Sequence, residues 1–150
     1  ESLQAPLVVR WPGVVEAGSE NTDLVQNLDF AQTFLDLAGI EAPEGMQGRS
    51  IVPLLKDSAP SDWRDAIYYQ YYEYPGPHDV QQHYGVRTDR YKLIYYYQID
   101  EWELFDLVTD PKELKSVHDS PESADVRQGL ERRLEELRLE YRVPAENPAD

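Results

Sequence analysis

The sequence predicts an α+β fold in which a small antiparallel sheet is covered by a C-terminal helix. A buried strand and a helix are expected to precede it, beyond a polar boundary. Between residues 83 and 107, three short runs of aromatic and β-branched residues are separated by polar breaks, the pattern of a β-meander. Over residues 121–141, apolar residues recur at helical spacing.

Four strands are expected in the sheet. The run AIYYQYYEY consists mainly of residues that favour strands, and Pro75-Gly76-Pro77 ends it. Strict alternation places tyrosines on both faces of this first strand. The dipeptide Asp89-Arg90 separates the first two runs of the meander. The predicted strands cover about 66–74, 83–88, 91–97 and 102–107.

The last predicted element is a helix over about 121–141. Ser120 is suited to the N-cap and Pro121 to the first helical position, while Pro144 ends the element. One apolar stripe contains Val126, Leu130, Leu134, Leu137 and Tyr141. This stripe is expected to lie on the tyrosine-rich sheet, with the charged face towards solvent.

Residues 1–60 are predicted to belong to a different domain. Leu7-Val8-Val9 is a continuous apolar run, which predicts a strand over about 6–11 that is buried on both faces. Pro12-Gly13 then turns the chain. Such a strand needs neighbours, and the sequence offers none nearby.

A helix is predicted over about 28–38, followed by a linker. Asn27 or Asp29 can cap its start, and Gly39 can take the left-handed conformation that ends it. Its apolar residues follow helical spacing: Leu28, Phe30, Ala31, Phe34, Leu35 and Ala38. The polar stretch 56–65 marks the boundary, so that residues 61–150 form the small domain.

Composition limits the classes of partner. The 150 residues include 14 basic and 29 acidic ones, a formal net charge of −15. Such a field repels phosphates and anionic lipid, so neither nucleic acid nor a membrane is an expected partner. The absence of cysteine excludes disulfides, thiolate metal sites and a thiol nucleophile. No apolar stretch has the length of a membrane span.

Residue spacing alone predicts no catalytic constellation. The three histidines, His78, His83 and His118, do not show the spacing of a zinc site. His78 lies in a Pro-Gly loop and His83 opens a strand, so both can line a cleft, although an ordinary structural role is the simpler interpretation. Pairs of acidic residues are too frequent in this chain to indicate acid–base catalysis.

Four stretches, in order, resemble the C-terminal part of a type I, arylsulfatase-type sulfatase. They are ESLQAPLVVRWPG, NLDFAQTFLDLAGIEAPEGMQGRSIVPLL, YYEYPGPHDVQQHYGVRTDRYKLIYYY and ELFDLVTDPKELKSV. The resemblance implies that residues 1–60 are the end of an alkaline-phosphatase-like α/β domain and residues 61–150 the small C-terminal subdomain. It covers nearly the whole chain.

The resemblance also implies a chemistry. Intact enzymes of this family hydrolyse sulfate esters with a formylglycine, made from Cys or Ser in a Cys/Ser-x-Pro-x-Arg motif, beside a calcium ion. The nearest match, Ser58-Ala59-Pro60-Ser61-Asp62, has Asp in place of Arg and lies in the linker. The family's Asp-Asn-Gly metal motif is absent as well. We therefore expect no catalytic residue, metal or cofactor site in this chain, and no activity of the chain alone.

The resemblance gives two candidate substrate contacts. The HDVQQHYGVRT pattern is most like members that act on sulfated sugars, in which this subdomain can supply a histidine to the sugar. Carried over by position, His83 is the first candidate and His78 the second. Arg87 is expected to brace the sheet through a carboxylate. A periplasmic or secreted location is compatible with such a parent enzyme.

Two functional hypotheses follow. In the first, the chain is the C-terminal portion of a sulfatase and contributes pocket lining and stability. In the second, it is a free-standing, non-catalytic assembly module that self-associates through the edge of Leu7–Val9, because an unpaired apolar strand favours association.

Overall fold

The structure is a computed structural model that describes residues 5–144. The chain divides into two compact units, Glu1–Arg64 and Asp65–Asp150. The division falls inside the polar stretch 56–65 that the sequence indicated. Within residues 5–144, no helix is both long enough and apolar enough to cross a membrane.

Helices are the regular elements of the described part of the first unit: α1 (Asp29–Leu37) and α2 (Val52–Leu55). The segment 6–11 is not a strand in the structure, contrary to the prediction. The reason is that a strand needs a pairing partner, and none of residues 5–10 forms a backbone hydrogen bond with a described residue. Leu7 and Val8 remain exposed, Val8 to 89%, and Val9 is half-buried.

The end of α1 follows the prediction. Gly39 takes a φ of 68°, and its N–H donates to the Asp36 carbonyl, 3.0 Å away. The N–H of Ile40 donates to the Leu35 carbonyl at 2.9 Å. These two bonds form a Schellman motif, which satisfies carbonyls that the helix leaves unpaired.

The start of α1 differs from the prediction. Leu28 occupies the N-cap position and no side chain caps the helix. The Asp29 carboxylate instead accepts hydrogen bonds from the backbone N–H groups of Gln26, at 2.7 Å, and Arg49, at 2.8 Å. The guanidinium of Arg64 binds the same carboxylate through both terminal nitrogens. Asp29 thereby connects three separate segments of the unit.

The apolar stripe predicted for α1 has the expected spacing but the opposite exposure. The buried residues of the helix are Asp29, Gln32 and Thr33, whereas Phe30 and Phe34 are exposed. An amphipathic helix normally buries its apolar side. Among the described residues, α1 therefore buries its polar side and exposes its apolar side.

The second unit contains the predicted four-stranded antiparallel sheet, which confirms the fold class. The strands are β1 (Ala66–Tyr71), β2 (His83–Thr88), β3 (Tyr91–Tyr96) and β4 (Glu101–Asp106), in the order β1-β2-β3-β4. β1 is shorter than predicted because its pairing ends at Tyr71 opposite His83, where β2 begins. Beyond this point, the Gln82 side chain donates to the Tyr72 carbonyl at 2.7 Å.

The helix α3 (Ala124–Glu140), preceded by a 3₁₀ turn, covers one face of the sheet as predicted. Leu130, Leu134 and Leu137 of its stripe are buried, and Val126 and Tyr141 pack at the edges. The opposing residues of the sheet alternate along the strands: Ala66, Tyr84, Val86, Leu93 and Leu104. Contrary to the prediction, the Ser120 side chain forms no capping hydrogen bond.

An ion pair at the end of β4 gives the stability of the sheet a pH dependence. Hydrogen bonding from Arg90 lowers the pKa of Asp106 from 3.8 to about 2. Because the folded-state pKa is depressed, the stabilisation is present above the unfolded-state value and is lost as the pH falls from about 4 to about 2. We expect Asp106→Asn to flatten the stability profile in this window and to leave its shape above pH 5 unchanged, as measured by urea unfolding at a series of pH values. An unchanged acid limb would contradict this assignment.

Candidate functional site

An aromatic cluster lies on the face of the sheet opposite to α3. Tyr69 and Tyr71 of β1, His83 of β2 and Tyr96 of β3 all point to this side, because alternate residues of a strand share a face. We call these four residues the His83 cluster. The pairing register places His83 between Tyr71 on one neighbouring strand and Tyr96 on the other.

Three tyrosine rings fix the imidazole of His83. The Tyr71 ring stacks on it with a centroid distance of 5.4 Å and an interplanar angle of 25°. Tyr69 approaches edge-on at 5.8 Å, and the tilted Tyr96 ring lies at 5.1 Å. His83 as a whole is half-buried.

The hydrogen bond of His83 assigns its tautomer. Nδ1 lies 2.8 Å from the carbonyl oxygen of Gln81. A carbonyl only accepts, so Nδ1 carries the proton in this bond, and Nε2 of the neutral ring is an acceptor. When the ring is protonated, Nε2 becomes a charged donor. Either state can bind a polar group of a ligand.

Two tyrosine hydroxyls of the cluster are buried, those of Tyr69 and Tyr71. The Tyr69 hydroxyl has no hydrogen-bond partner among the described residues, whereas burial and the neighbouring Glu73 raise the pKa of Tyr71. Burial raises the pKa of Tyr69 well above its usual range, and Tyr96 adds to the effect. The Tyr96 hydroxyl donates to Glu103 at 2.9 Å, and burial is the main cause of its raised pKa. The hydroxyls of Tyr69 and Tyr96 thus stay protonated at neutral pH.

Gly85 makes room for this arrangement. It is paired with Tyr69 across the β1–β2 ladder, and a Cβ atom on Gly85 would lie 2.9 Å from the Tyr69 ring and 2.3 Å from the Leu93 carbonyl oxygen. A larger residue would displace Tyr69 from the cluster. A glycine within a strand signals such a close approach, and it is the one signal in the sequence that could have identified these tyrosines as more than packing.

Two cationic side chains lie on the same face of the sheet. Lys92 forms a largely buried ion pair with Glu113. Arg87 forms no ion pair with a described residue, and its buried Nε has no hydrogen-bond partner among them. The bracing carboxylate expected for Arg87 is therefore not found in residues 5–144.

The structure does not bring His78 onto the sheet. It lies in an exposed turn between β1 and β2, where the N–H of Asp79 donates to the Gly76 carbonyl at 3.0 Å. His118 stacks on Trp102 with a centroid distance of 6.2 Å, on the side of the sheet that faces α3. His83 is thus the histidine that belongs to the aromatic cluster.

The comparisons with known proteins decide the family. A family model described as N-sulphoglucosamine sulphohydrolase, C-terminal, matches residues 1–140. The chain belongs to this sulfatase family. It is 44% identical over 145 residues to an N-acetylglucosamine-6-O-sulfatase of Bacteroides thetaiotaomicron, a match that covers 95% of the chain and 26% of the relative. It is 31% identical to human arylsulfatase K over 121 residues, covering 77% of the chain and 22% of that protein.

Solved sulfatase structures share the fold. The structure of BT4656 in complex with its substrate, D-glucosamine-2-N,6-O-disulfate, matches 89% of the chain and 28% of its own length, with a TM-score of 0.85 and 45% identity. The chain thus spans about a quarter of the length of these sulfatases. The predicted alkaline-phosphatase-like relationship is confirmed.

The described residues of this sulfatase chain do not fit the family's cofactors. No group of three or more His, Asp or Glu side chains within residues 5–144 is arranged to hold a metal ion. The Ser58 hydroxyl donates to the Pro53 carbonyl at 3.0 Å, and Asp62, in place of the motif's Arg, pairs with Arg49. We derive no catalytic step from these residues.

Proposed function

We propose that the chain is the C-terminal portion of a sulfatase that hydrolyses sulfate esters of sugars, and that His83 lines its substrate pocket. The sequence similarity to the N-acetylglucosamine-6-O-sulfatase, at 44% identity, supports the reaction class and the sugar. The observation that carries the role of His83 is its fixed geometry. Three tyrosine rings and the Gln81 carbonyl set the direction of Nε2.

The chemistry of the His83 cluster suits a sulfated sugar. Neutral Nε2 can accept a hydrogen bond from a sugar hydroxyl, and protonated Nε2 can donate to a sulfate oxygen. The Tyr69 hydroxyl, buried and without a partner among the described residues, is a further donor in this cluster. Aromatic rings next to these polar groups provide apolar surface for a sugar ring. His78, on its exposed turn, is the second proposed contact.

The calcium ion and the formylglycine of the proposed enzyme would come from residues other than those described here. The role of this chain is then to bind and orient the non-reacting part of the sugar. Binding energy from such remote contacts accelerates the reaction when it positions the scissile bond.

A hybrid enzyme tests the role of His83. This chain replaces the matching region of the Bacteroides thetaiotaomicron sulfatase, and hydrolysis of 6-O-sulfated N-acetylglucosamine is measured. His83→Gln is expected to lower kcat/KM about tenfold, chiefly through KM, since a lost hydrogen bond of about 1.4 kcal/mol corresponds to that factor. His118→Gln, on the other face of the sheet, is the control and should retain activity. A His83→Gln hybrid within twofold of the parent would refute the assignment.

An activity assay of the isolated chain tests whether the catalytic residues lie outside it. A chromogenic sulfate ester incubated with the chain and calcium should show no turnover above the rate without protein. Turnover by the isolated chain would overturn the proposal that the catalytic residues lie elsewhere.

The self-associating module remains a second candidate, because Val8 is almost fully exposed and residues 5–10 have no backbone partner among the described residues. Size-exclusion chromatography with light scattering tests it. A dimer that persists at low micromolar concentration would favour this function, and a monomer would count against it.

A further inference from the structure

Gln82, the residue before His83, connects the ends of two other strands through its side-chain amide. Its Nε2 donates to the Tyr72 carbonyl at 2.7 Å, and its Oε1 accepts from the Tyr97 hydroxyl at 2.8 Å. Tyr72 follows the last residue of β1, and Tyr97 follows the last residue of β3. A single amide therefore joins β1, β2 and β3 at the edge where the backbone ladder stops.

The strand register places these contacts directly beside His83. His83 lies level with Tyr71 on one neighbouring strand and with Tyr96 on the other. Gln82 and its two partners each stand one position beyond this row. Because neighbouring residues of an extended chain point to opposite faces, the Gln82 side chain lies on the α3 side while His83 faces the other way. Gln82 therefore acts on a ligand of His83 only through the backbone that the two residues share.

The neighbours of Gln82 determine the orientation of its amide. The Tyr72 carbonyl only accepts, so it faces the amide nitrogen, and Oε1 then receives the Tyr97 hydroxyl. Tyr97 is itself held in place, because its ring stacks on Tyr84 with a centroid distance of 5.8 Å and packs against the hydrophobic core. The contact thus ties the segment before β2 to the core.

The backbone of Gln82 carries both partners of the bond that orients the His83 ring. The carbonyl that accepts from Nδ1 belongs to Gln81, and the ring is attached one residue after Gln82. The φ and ψ angles of Gln82 therefore set the position of the carbonyl relative to the ring. A change in these angles would lengthen or bend the 2.8 Å bond and so weaken it.

The tautomer of His83 depends on this bond. The Gln81 carbonyl keeps the proton on Nδ1, and Nε2 is then an acceptor. If the carbonyl moved away, the tautomer with a protonated Nε2 would compete. The position of one carbonyl thus decides whether a neutral His83 can accept a hydrogen bond from a sugar hydroxyl.

Gln70 shows a local glutamine–tyrosine contact on the same face of the sheet. Its Oε1 accepts from the Tyr68 hydroxyl at 3.0 Å, two residues away on the same strand. Gln82 instead joins residues that are 10 and 15 positions distant. Contacts of that range constrain the path of the chain, whereas the contact of Gln70 stays within one strand.

We infer that Gln82 is a positioning residue for His83. By tying the segment before β2 to Tyr72 and Tyr97, it places the Gln81 carbonyl that selects the Nδ1–H tautomer. The inference rests on the proposed function, in which Nε2 of His83 meets the sugar. The bond to Tyr72 also closes the base of the turn that contains His78, so the same side chain fixes both ends of that turn.

Nitrogen-15 NMR of the full chain measures the tautomer without turnover. At about pH 8.5 an ordinary imidazole is neutral, and the shifts of Nδ1 and Nε2 report which nitrogen carries the proton. The parent should show mainly the Nδ1–H form, and the spectrum of His83→Gln assigns the signals. Gln82→Leu removes both contacts and should lower the ratio of the two tautomers by about threefold or more, part of the roughly tenfold that one hydrogen bond supplies.

Gln70→Leu is the matched control, since it removes a glutamine–tyrosine bond on the same face and leaves the segment before β2 unchanged. Its tautomer ratio should equal that of the parent. If circular dichroism shows that Gln82→Leu loses strand content, Gln82→Glu takes its place. It has the same shape and retains the acceptor for Tyr97, but its carboxylate cannot donate to Tyr72, so the same direction of change is expected.

A double-mutant cycle in the hybrid enzyme tests whether Gln82 acts through His83. Gln82→Leu alone should raise KM about threefold or more, through the weakened orientation of the ring. When His83 is already replaced by Gln, the same change should alter KM by less than about twofold, because the effects of residues in one network are not additive.

The outcomes separate the alternatives. A tautomer ratio that Gln82→Leu lowers and Gln70→Leu does not would support the positioning role. An unchanged ratio in the Gln82 variant, equal changes in both variants, or additive effects in the hybrid would overturn it. If His83→Gln left the hybrid unaffected, the proposed function would fail, while the NMR ratio would still decide whether Gln82 orients the ring.

Discussion

Replacing Asp29 by Ala should destabilise the first unit by about 3–5 kcal/mol, the usual cost of removing one partner of a buried ion pair. Asp29 is fully buried, with a side-chain exposure of 0%, and Arg64 retains 6%. The substitution leaves the Arg64 guanidinium buried without its counter-charge. It also leaves the backbone N–H groups of Gln26 and Arg49 without their acceptor. Urea unfolding followed by tryptophan fluorescence measures the loss.

Trp63 is a suitable fluorescence reporter for unfolding of the first unit. The guanidinium groups of Arg49 and Arg64 lie 4.7 and 5.0 Å from the centroid of the Trp63 ring, so release of either arginine changes the surroundings of the indole. Asp29→Asn should have a smaller effect, because the amide oxygen can still accept one of the hydrogen bonds.

The control for Asp29 is another aspartate paired with an arginine. Asp65 binds Arg133 at 2.9 Å, but its side chain is 79% exposed. Asp65→Ala should therefore cost less than about 1 kcal/mol. Equal effects of Asp29→Ala and Asp65→Ala would show that burial of the first pair does not control the stability of its unit.

The sheet and α3 could be predicted from sequence because their signals are local. Runs of β-branched and aromatic residues with polar breaks defined the strands, and the stripe from Val126 to Tyr141 defined the helix. The largest error in the predicted strands was the end of the first one, because strand length depends on where the partner begins, at His83.

The features of the first unit depend on residues distant in the sequence. The spacing of Phe30 and Phe34 predicted an apolar helix face correctly, but not which face is exposed. That choice depends on Arg64, 35 positions after Asp29, and one-dimensional periodicity carries no information about such a pair. The expected strand over 6–11 likewise depends on partners that the described residues do not provide.

The His83 cluster could be predicted from the sequence only in part. The sequence predicted His83 as a substrate contact only through the family resemblance, and the tyrosines were interpreted as packing. Their convergence depends on the register of three strands, which places Tyr71 and Tyr96 on either side of His83. A shift by one residue would move every one of these side chains to the opposite face.

Alternate residues of each strand point to opposite faces of the sheet. Packing of α3 on one face therefore stabilises the sheet that carries the His83 cluster on the other. Leu137 of α3 is 1% exposed and packs in the core against the sheet. Leu137→Ala should lower the free energy of unfolding of the second unit by about 2–5 kcal/mol, since it removes buried methyl groups and leaves a cavity. Guanidinium unfolding monitored by circular dichroism measures the change.

Leu139→Ala provides the control, two residues away on the exposed side of α3. It removes the same atoms from a position outside the core and should change stability by less than about 0.5 kcal/mol. If both variants lost equal stability, α3 would not be anchored through Leu137. If only Leu137→Ala is destabilised, the sheet that fixes His83 depends on packing from its other face. Activity of the hybrid enzyme should then fall at temperatures where this variant begins to unfold, while the Leu139→Ala hybrid remains active.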